Sequence, residues 1–154
     1  MNLIIDIGNT SAKLAVFQRD KVLKTKTIAR NNLVLEVENL VKKFSEIKQG
    51  FISCVGFLPS KELKILEKSL SINFLNSASK LPFKNHYKTP NSQGADRLAL
   101  MAAAVSQYSK KNVLVIDAGS CITYDFIDSE NNYLGGAIAP GIQMRYKSMS
   151  DNTT

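Results

Sequence analysis

The chain repeats itself: Ile5-Asp6-Ile7-Gly8-Asn9-Thr10 returns as Ile116-Asp117-Ala118-Gly119-Ser120-Cys121, with the two aspartates 111 positions apart. Each copy is an apolar run ending in Asp-x-Gly and small polar residues, followed by a second apolar stretch, Lys13 to Phe17 or Ile122 to Ile127. Short apolar runs bounded by such turn residues read as strands. A strand, a tight turn and a second strand, used twice, are most simply a duplicated domain with two equivalent turns. Lys21 to Ile28 adds an edge-like strand to the first copy, and Phe51 to Val55, Ile72 to Leu75 and Val113 to Ile116 add further strands. Leu33, Leu35, Val37, Leu40, Val41 and Phe44 fall near helical spacing, with Asn31 or Asn32 placed to cap and Gly50 after the end. Pro59-Ser60 opens a second helix, with Leu63, Leu66 and Leu70 on one face. Ala95 to Tyr108, rich in Ala, Leu and Met, predicts a third. The intervening 76–93 holds Pro82, Pro90, three Asn and three Ser without a period, which predicts a long loop.

The repeated turns carry the chemistry. Glycine allows a tight turn and a close approach to main-chain N–H groups, while Asn9, Thr10 and Ser11 add short donors, so the turn can cradle phosphate. Lys13 would place a positive charge beside it. Asp6 at the strand end suits a magnesium ion held through water, since magnesium takes carboxylate, water and phosphate oxygens. Two such turns facing across a cleft would grip a nucleoside triphosphate. Asp-x-Gly and Gly-Asn are also ordinary hairpin signals, and only their repetition in matching strands favours the ligand reading. Neither a Walker loop nor a Gly-x-Gly-x-x-Gly dinucleotide loop occurs.

Gly94-Ala95-Asp96-Arg97 stands where the long loop becomes the third helix, an end that favours anions. There Asp96 can accept the proton of a substrate hydroxyl while Arg97 binds an acidic substrate; alternatively Asp96 only satisfies the first helical turn. Gly135-Gly136-Ala137-Ile138-Ala139-Pro140-Gly141 reads as a strand-to-helix turn near the same cleft, or as a plain loop. Tyr87 lines a pocket or tacks the loop down. His86, the single histidine, lacks the context of a nucleophilic triad and reads as a solvated loop residue.

Composition narrows the classes. Twenty Lys plus Arg against thirteen Asp plus Glu give a formal charge of +7, which favours anionic ligands. The lysines are scattered without interleaved aromatics, so nucleic acid is not expected as a partner. No apolar run reaches the roughly 18 to 20 residues of a membrane span, and the start lacks a signal-peptide pattern, so no membrane partner and a cytoplasmic location are expected. Cys54 and Cys121 lie in apolar segments and read as reduced structural thiols.

In order and spacing, Asp6 to Lys13, then Tyr87 ahead of Gly94 to Arg97, then Asp117 to Ser120, then Gly135 to Gly141 resemble type III pantothenate kinase, over essentially the whole chain. The resemblance implies an α/β, ribonuclease-H-like (actin-like) duplicated fold and ATP-dependent phosphorylation of pantothenate, opening coenzyme A synthesis. By position it implies that Asp6, Ile7, Gly8, Asn9, Thr10, Ser11, Ala12 and Lys13 bind ATP phosphates, with Mg2+ near Asp6 and Lys13 near the transferred group. Ser120, where the family usually has threonine, would join them. Tyr87, Gly94, Ala95, Asp96 and Arg97 would contact pantothenate, with Asp96 as proton acceptor. Asp117 matches the position that binds a monovalent cation, K+ or NH4+. A homodimer is implied too. The first ribonuclease-H-like domain would be 1–111 and the start of the second 112–154. Only 43 residues follow Lys111, fewer than the roughly 50 of a small domain, so the second domain is expected to be incomplete and the chain to be a truncated form whose own turnover is weak or absent. Two other classes fit the same turns: another small-molecule kinase or phosphatase of the superfamily, or a non-catalytic, nucleotide-regulated binding module.

Overall fold

A computed structural model describes residues 1–152. They form nine strands and four α-helices, arranged as two sheets. Two compact units account for the contacts: residues 1–76 with 94–96, and residues 77–93 with 97–152 among those described.

In the first unit β1 (Asn2–Ile7), β2 (Ser11–Gln18) and β3 (Lys21–Ala29) make an antiparallel meander. α1 (Leu33–Lys43) and α2 (Ser60–Glu67) alternate with β4 (Gln49–Cys54) and β5 (Ser71–Phe74), giving the sheet order β3-β2-β1-β4-β5. β4 runs parallel to β1, which requires the crossover that α1 supplies. Strict alternation buries Leu3, Ile5 and Ile7 of β1 with Ala12, Leu14 and Val16 of β2 in one apolar cluster. Leu33, Val37 and Leu40 of α1 and Leu66 of α2 join that cluster, so the i, i+4, i+7 spacing is the buried face. β3 is an edge strand as its pattern predicts, and Lys21, Lys24 and Lys26 on it discourage further pairing.

Two details depart from the sequence reading. Asn32 is the N-cap of α1 but its side chain makes no capping bond. The helix ends at Lys43, and Gly50 lies buried inside β4 rather than after a helix.

The second unit opens with the long loop, which is not entirely irregular: β6 (Lys84–Asn85) pairs with a strand later in the chain. Then come α3 (Ala95–Gln107), β7 (Val113–Ala118), β8 (Cys121–Ile127), β9 (Asn132–Pro140) and α4 (Ile142–Asn152). The sheet order is β6-β9-β8-β7, with β7 at an edge. The glycine-rich 135–140 is thus strand, antiparallel to β8, and only Gly141 turns into the helix. At the β8–β9 corner Asp128 accepts main-chain N–H bonds from Glu130 (2.9 Å) and Asn132 (2.8 Å), the local side-chain turn that aspartate favours.

The order β7-β8-β9-α4 repeats β1-β2-β3-α1, and no counterpart of β4, α2 and β5 follows among the described residues. Equivalent positions differ in burial. Leu3 and Ile5 are 0% exposed, whereas Leu114 and Ile116 are 57% and 56% exposed. The second turn is also one residue shorter, since Ile7 pairs with Ala12 but Ala118 pairs with Ile122.

Candidate functional site

The first Asp-x-Gly motif joins β1 to β2. The Gly8 N–H donates to the Ser11 carbonyl at 3.0 Å, closing a turn that leaves Asn9 and Thr10 exposed. Strand register then sets a row across the sheet: Lys13 of β2 and Ser53 of β4 flank Asp6 of β1 on the face opposite the apolar cluster. The Asp6 and Lys13 side chains form no hydrogen bond or ion pair among the described residues. Ser53 is buried and its hydroxyl has no partner among the described residues. Cys54, beside Ile7 in the next row, is a free thiol pushed up chiefly by burial; Arg30 opposes that rise and the Asp6 charge adds to it.

Magnesium would find here a half-buried carboxylate that forms no hydrogen bond or ion pair among the described residues, beside a buried hydroxyl lacking a partner among them. Among the described residues no cluster of three or more His, Cys, Asp or Glu forms, so the fit is to a hydrated ion bridged to an anion rather than to a closed protein cage.

In the second unit the corresponding turn joins β7 to β8, with the Gly119 N–H donating to the Cys121 carbonyl at 2.9 Å. Asp117 and Ser120 are exposed, and Asp117 makes no hydrogen bond or ion pair among the described residues. Its register neighbour Thr123 is buried, with a hydroxyl that has no partner among the described residues. An oxygen-ligated monovalent cation fits that pair by chemistry.

Asp96 lies in the first turn of α3, its carboxylate folded back over Gly94. Arg97, one residue on, is 3% exposed and its guanidinium is committed inward. Its Nε donates to both carboxylate oxygens of Asp125 at 3.0 Å, and Nη2 donates to Oδ1 at 2.5 Å. The Tyr133 hydroxyl donates to the same oxygen at 2.5 Å and accepts from Nη2 at 3.2 Å. Hydrogen bonding to Asp125 drives the Arg97 guanidinium above its already high value, against the opposing effect of burial.

Tyr87 caps this network. Its ring stacks parallel to that of Tyr133, centroids 6.2 Å apart, and the Arg97 Cζ lies 5.3 Å from the Tyr87 centroid. The backbone is tied down as well: the Tyr87 N–H donates to Asn85 Oδ1 at 3.0 Å, and the His86 N–H donates to the Tyr133 carbonyl at 3.0 Å. Gln93 accepts from the Asn85 amide at 3.0 Å, while its own buried Nε2 has no acceptor among the described residues. His86 is exposed and bonded to Asn132, as expected of a solvated loop residue.

Two glycines make room for the network. Gly136 opposes Asp125 in register, and a Cβ there would run into the Tyr124 carbonyl and the Asp125 carboxylate. Gly135 has φ +105°, a conformation side-chain-bearing residues rarely adopt, and lies against the Tyr87 ring.

Asp125 and Tyr133 were not among the residues picked from the sequence. The signal was a carboxylate at an inward position of Thr123-x-Asp125-x-Ile127, because a charge is almost never fully buried without a partner. Burial, and then Asp125, push the Tyr133 hydroxyl above the ordinary tyrosine value. A raised value in the folded state stabilises the fold fully below the unfolded value of about 10, and that contribution is lost as pH climbs from there through the folded value. Urea midpoints measured between about pH 8 and about pH 11 will therefore fall more steeply for the wild type than for Tyr133→Phe. Parallel slopes would mean that this hydroxyl titrates as if exposed.

No helix among the described residues is long and apolar enough to cross a membrane. The family model for type III pantothenate kinase matches residues 2–154. A type III pantothenate kinase of Christiangramia forsetii is 49% identical over 149 residues, covering 97% of this chain and 61% of its own length. This chain spans about three fifths of the length of the curated relatives it matches. Among solved structures, a Campylobacter jejuni protein described as a conserved candidate Baf family transcriptional activator shares 27% identity at a TM-score of 0.64, over 98% of this chain and 60% of that one. The Ppx/GppA phosphatase of Aquifex aeolicus shares the fold alone, at 14% identity and a TM-score of 0.53, over 96% of this chain and 55% of that one. The two-sheet α/β architecture is the ribonuclease-H-like, actin-like one that the resemblance implies.

Proposed function

Because the chain belongs to the type III pantothenate kinase family, we propose that it transfers the terminal phosphoryl group of ATP to pantothenate, giving 4'-phosphopantothenate and ADP, the first step of coenzyme A biosynthesis. The observation that carries this reading is the family match across residues 2–154, with Asp6 and Asp117 each placed at the end of a strand that turns through glycine.

The segment Asp6 to Lys13 takes the ATP phosphates, its exposed turn supplying main-chain N–H groups and the Asn9, Thr10 and Ser11 side chains. Lys13 adds positive charge near the transferred group, and Ser120 adds a hydroxyl from the second turn. Magnesium, when bound, offsets the phosphate charge. Asp117 holds the monovalent cation, K+ or NH4+. Pantothenate lies against Tyr87 and the segment Gly94, Ala95, Asp96 and Arg97. As its primary hydroxyl oxygen bonds to phosphorus and ADP leaves, the hydroxyl proton passes to Asp96. Arg97, bound to Asp125 and lying under the Tyr87 ring, shapes the Tyr87 end of that contact. Phosphoryl transfer needs alignment and charge neutralisation more than covalent chemistry, and these groups supply both. The duplicated halves are 1–111 and 112–154, and the working form is a cytoplasmic homodimer.

The test is ADP release and phosphopantothenate formation by this chain, with pantothenate present or absent, in K+ and in Na+. Pantothenate-dependent transfer, faster in K+ than in Na+, is expected. ATP hydrolysis indifferent to pantothenate, or transfer to sugars or acetate instead, would refute it. The description of the Campylobacter jejuni neighbour favours a second reading, a nucleotide-regulated binding module, which predicts ATP binding with no transfer to any acceptor.

A further inference from the structure

Three side-chain atoms among the described residues are buried without a hydrogen-bond partner, and two of them are register neighbours of the two repeated aspartates, though on non-equivalent strands. Ser53 is the β4 neighbour of Asp6, and Thr123 is the β8 neighbour of Asp117. Their exposures are 8% and 9%. Neighbouring strands lie about 4.8 Å apart and register partners share a face, so each hydroxyl stands in the row of its aspartate.

A buried hydroxyl that bonds to nothing costs stability, and an apolar residue of the same shape would remove the cost. Ser53 interrupts Phe51-Ile52-Ser53-Cys54-Val55, where alanine would pack as well. Thr123 holds the register place that Lys13 holds in the first copy, so in both units a polar group flanks the head aspartate. Two unsatisfied hydroxyls beside the two repeated aspartates are better explained by what binds there than by packing.

We propose that Ser53 and Thr123 are ligand-binding hydroxyls: Ser53 for the magnesium-triphosphate group beside Asp6 and Lys13, Thr123 for the monovalent cation beside Asp117. This inference rests on the nucleotide reading above. The Ser53 hydroxyl donates to a phosphate oxygen or accepts from a magnesium-bound water, and the Thr123 oxygen offers a lone pair to the cation.

The experiment compares the wild-type chain with Ser53→Ala and Thr123→Val by thermal unfolding and calorimetric titration. Without ligand, both variants are expected to melt at or above the wild-type temperature, because each loses an unsatisfied group. With MgATP, Ser53→Ala is expected to bind at least tenfold more weakly. A loss confined to ATP with magnesium identifies the water-bridged contact, and an equal loss for ATP in EDTA identifies the phosphate contact; either supports the assignment. Thr123→Val is expected to keep its MgATP affinity in Na+ and to lose the gain that K+ gives the wild type. Variants that melt below the wild type without ligand would overturn the inference, since the hydroxyls would then be bonded internally. MgATP affinity of Ser53→Ala within twofold of wild type, or an unchanged K+ gain in Thr123→Val, would overturn the corresponding half while leaving the nucleotide reading intact. A wild-type chain unaffected by MgATP would overturn both.

Discussion

Replacing Asp125 by alanine will destabilise the second unit by about 3–5 kcal/mol, the usual cost of leaving one member of a buried ion pair uncompensated. The geometry places this pair at the severe end. Asp125 is 0% exposed and Arg97 3%, and the carboxylate accepts from Arg97 and Tyr133 together. In Asp125→Ala the guanidinium stays charged, since arginine does not release its proton at accessible pH, and it loses the carboxylate to which both Nε and Nη2 donate. Against a typical folding free energy of about 5–15 kcal/mol, that loss removes much of the margin. Urea denaturation of wild type and variant measures it directly. The double variant Asp125→Leu with Arg97→Met should recover most of the loss, because the penalty comes from an unpaired charge rather than from missing volume. A loss below about 1 kcal/mol in Asp125→Ala would mean that water reaches the guanidinium.

The largest effect on chemistry is expected at Asp96. Asp96→Asn keeps the size and the place at the start of α3 but cannot take a proton, so pantothenate-dependent transfer should fall by about 10²- to 10⁴-fold while MgATP affinity stays within a small factor. Quantifying phosphopantothenate under single-turnover conditions, alongside calorimetric ATP binding, separates the two effects. Undiminished transfer would remove Asp96 as the acceptor. A parallel loss of ATP affinity would instead indicate that the carboxylate is needed to form the helix start over Gly94.

Local pattern carried the meander, the alternating helices and strands of the first unit, and the repeat of the Asp-x-Gly turns, because each depends on short-range periodicity. It failed where partners come from far along the chain. Gly135 to Pro140 looked like a turn because glycines usually make turns, yet these glycines are strand residues that make room for Asp125 and Tyr87. Gly50 looked like a helix terminator and is buried in β4, where a Cβ would press on Ile72. β6 was invisible because two residues have no period, and its partner, Asn132–Tyr133, lies almost fifty positions away. Tyr87 and Arg97 stood out as binding candidates, but nothing local showed that Asp125 and Tyr133 complete their network. Ser53 and Thr123 were similarly hidden, since a lone hydroxyl in an apolar strand becomes informative only when its neighbours across the sheet are known.

The open flank of β7 bears on where a sheet can be extended. Val113 to Ile116 is four consecutive aliphatic residues without charge, on a strand whose outer side has no neighbour among the described residues, and Leu114 and Ile116 are exposed. β3, at the far edge of the first sheet, is guarded by lysines; β7 carries no basic residue and reaches its first charge only at Asp117. Among the described residues, such a border offers unpaired main-chain groups to another strand, which the lysine-lined β3 edge discourages, so β7 is the margin of the two at which a further strand would add.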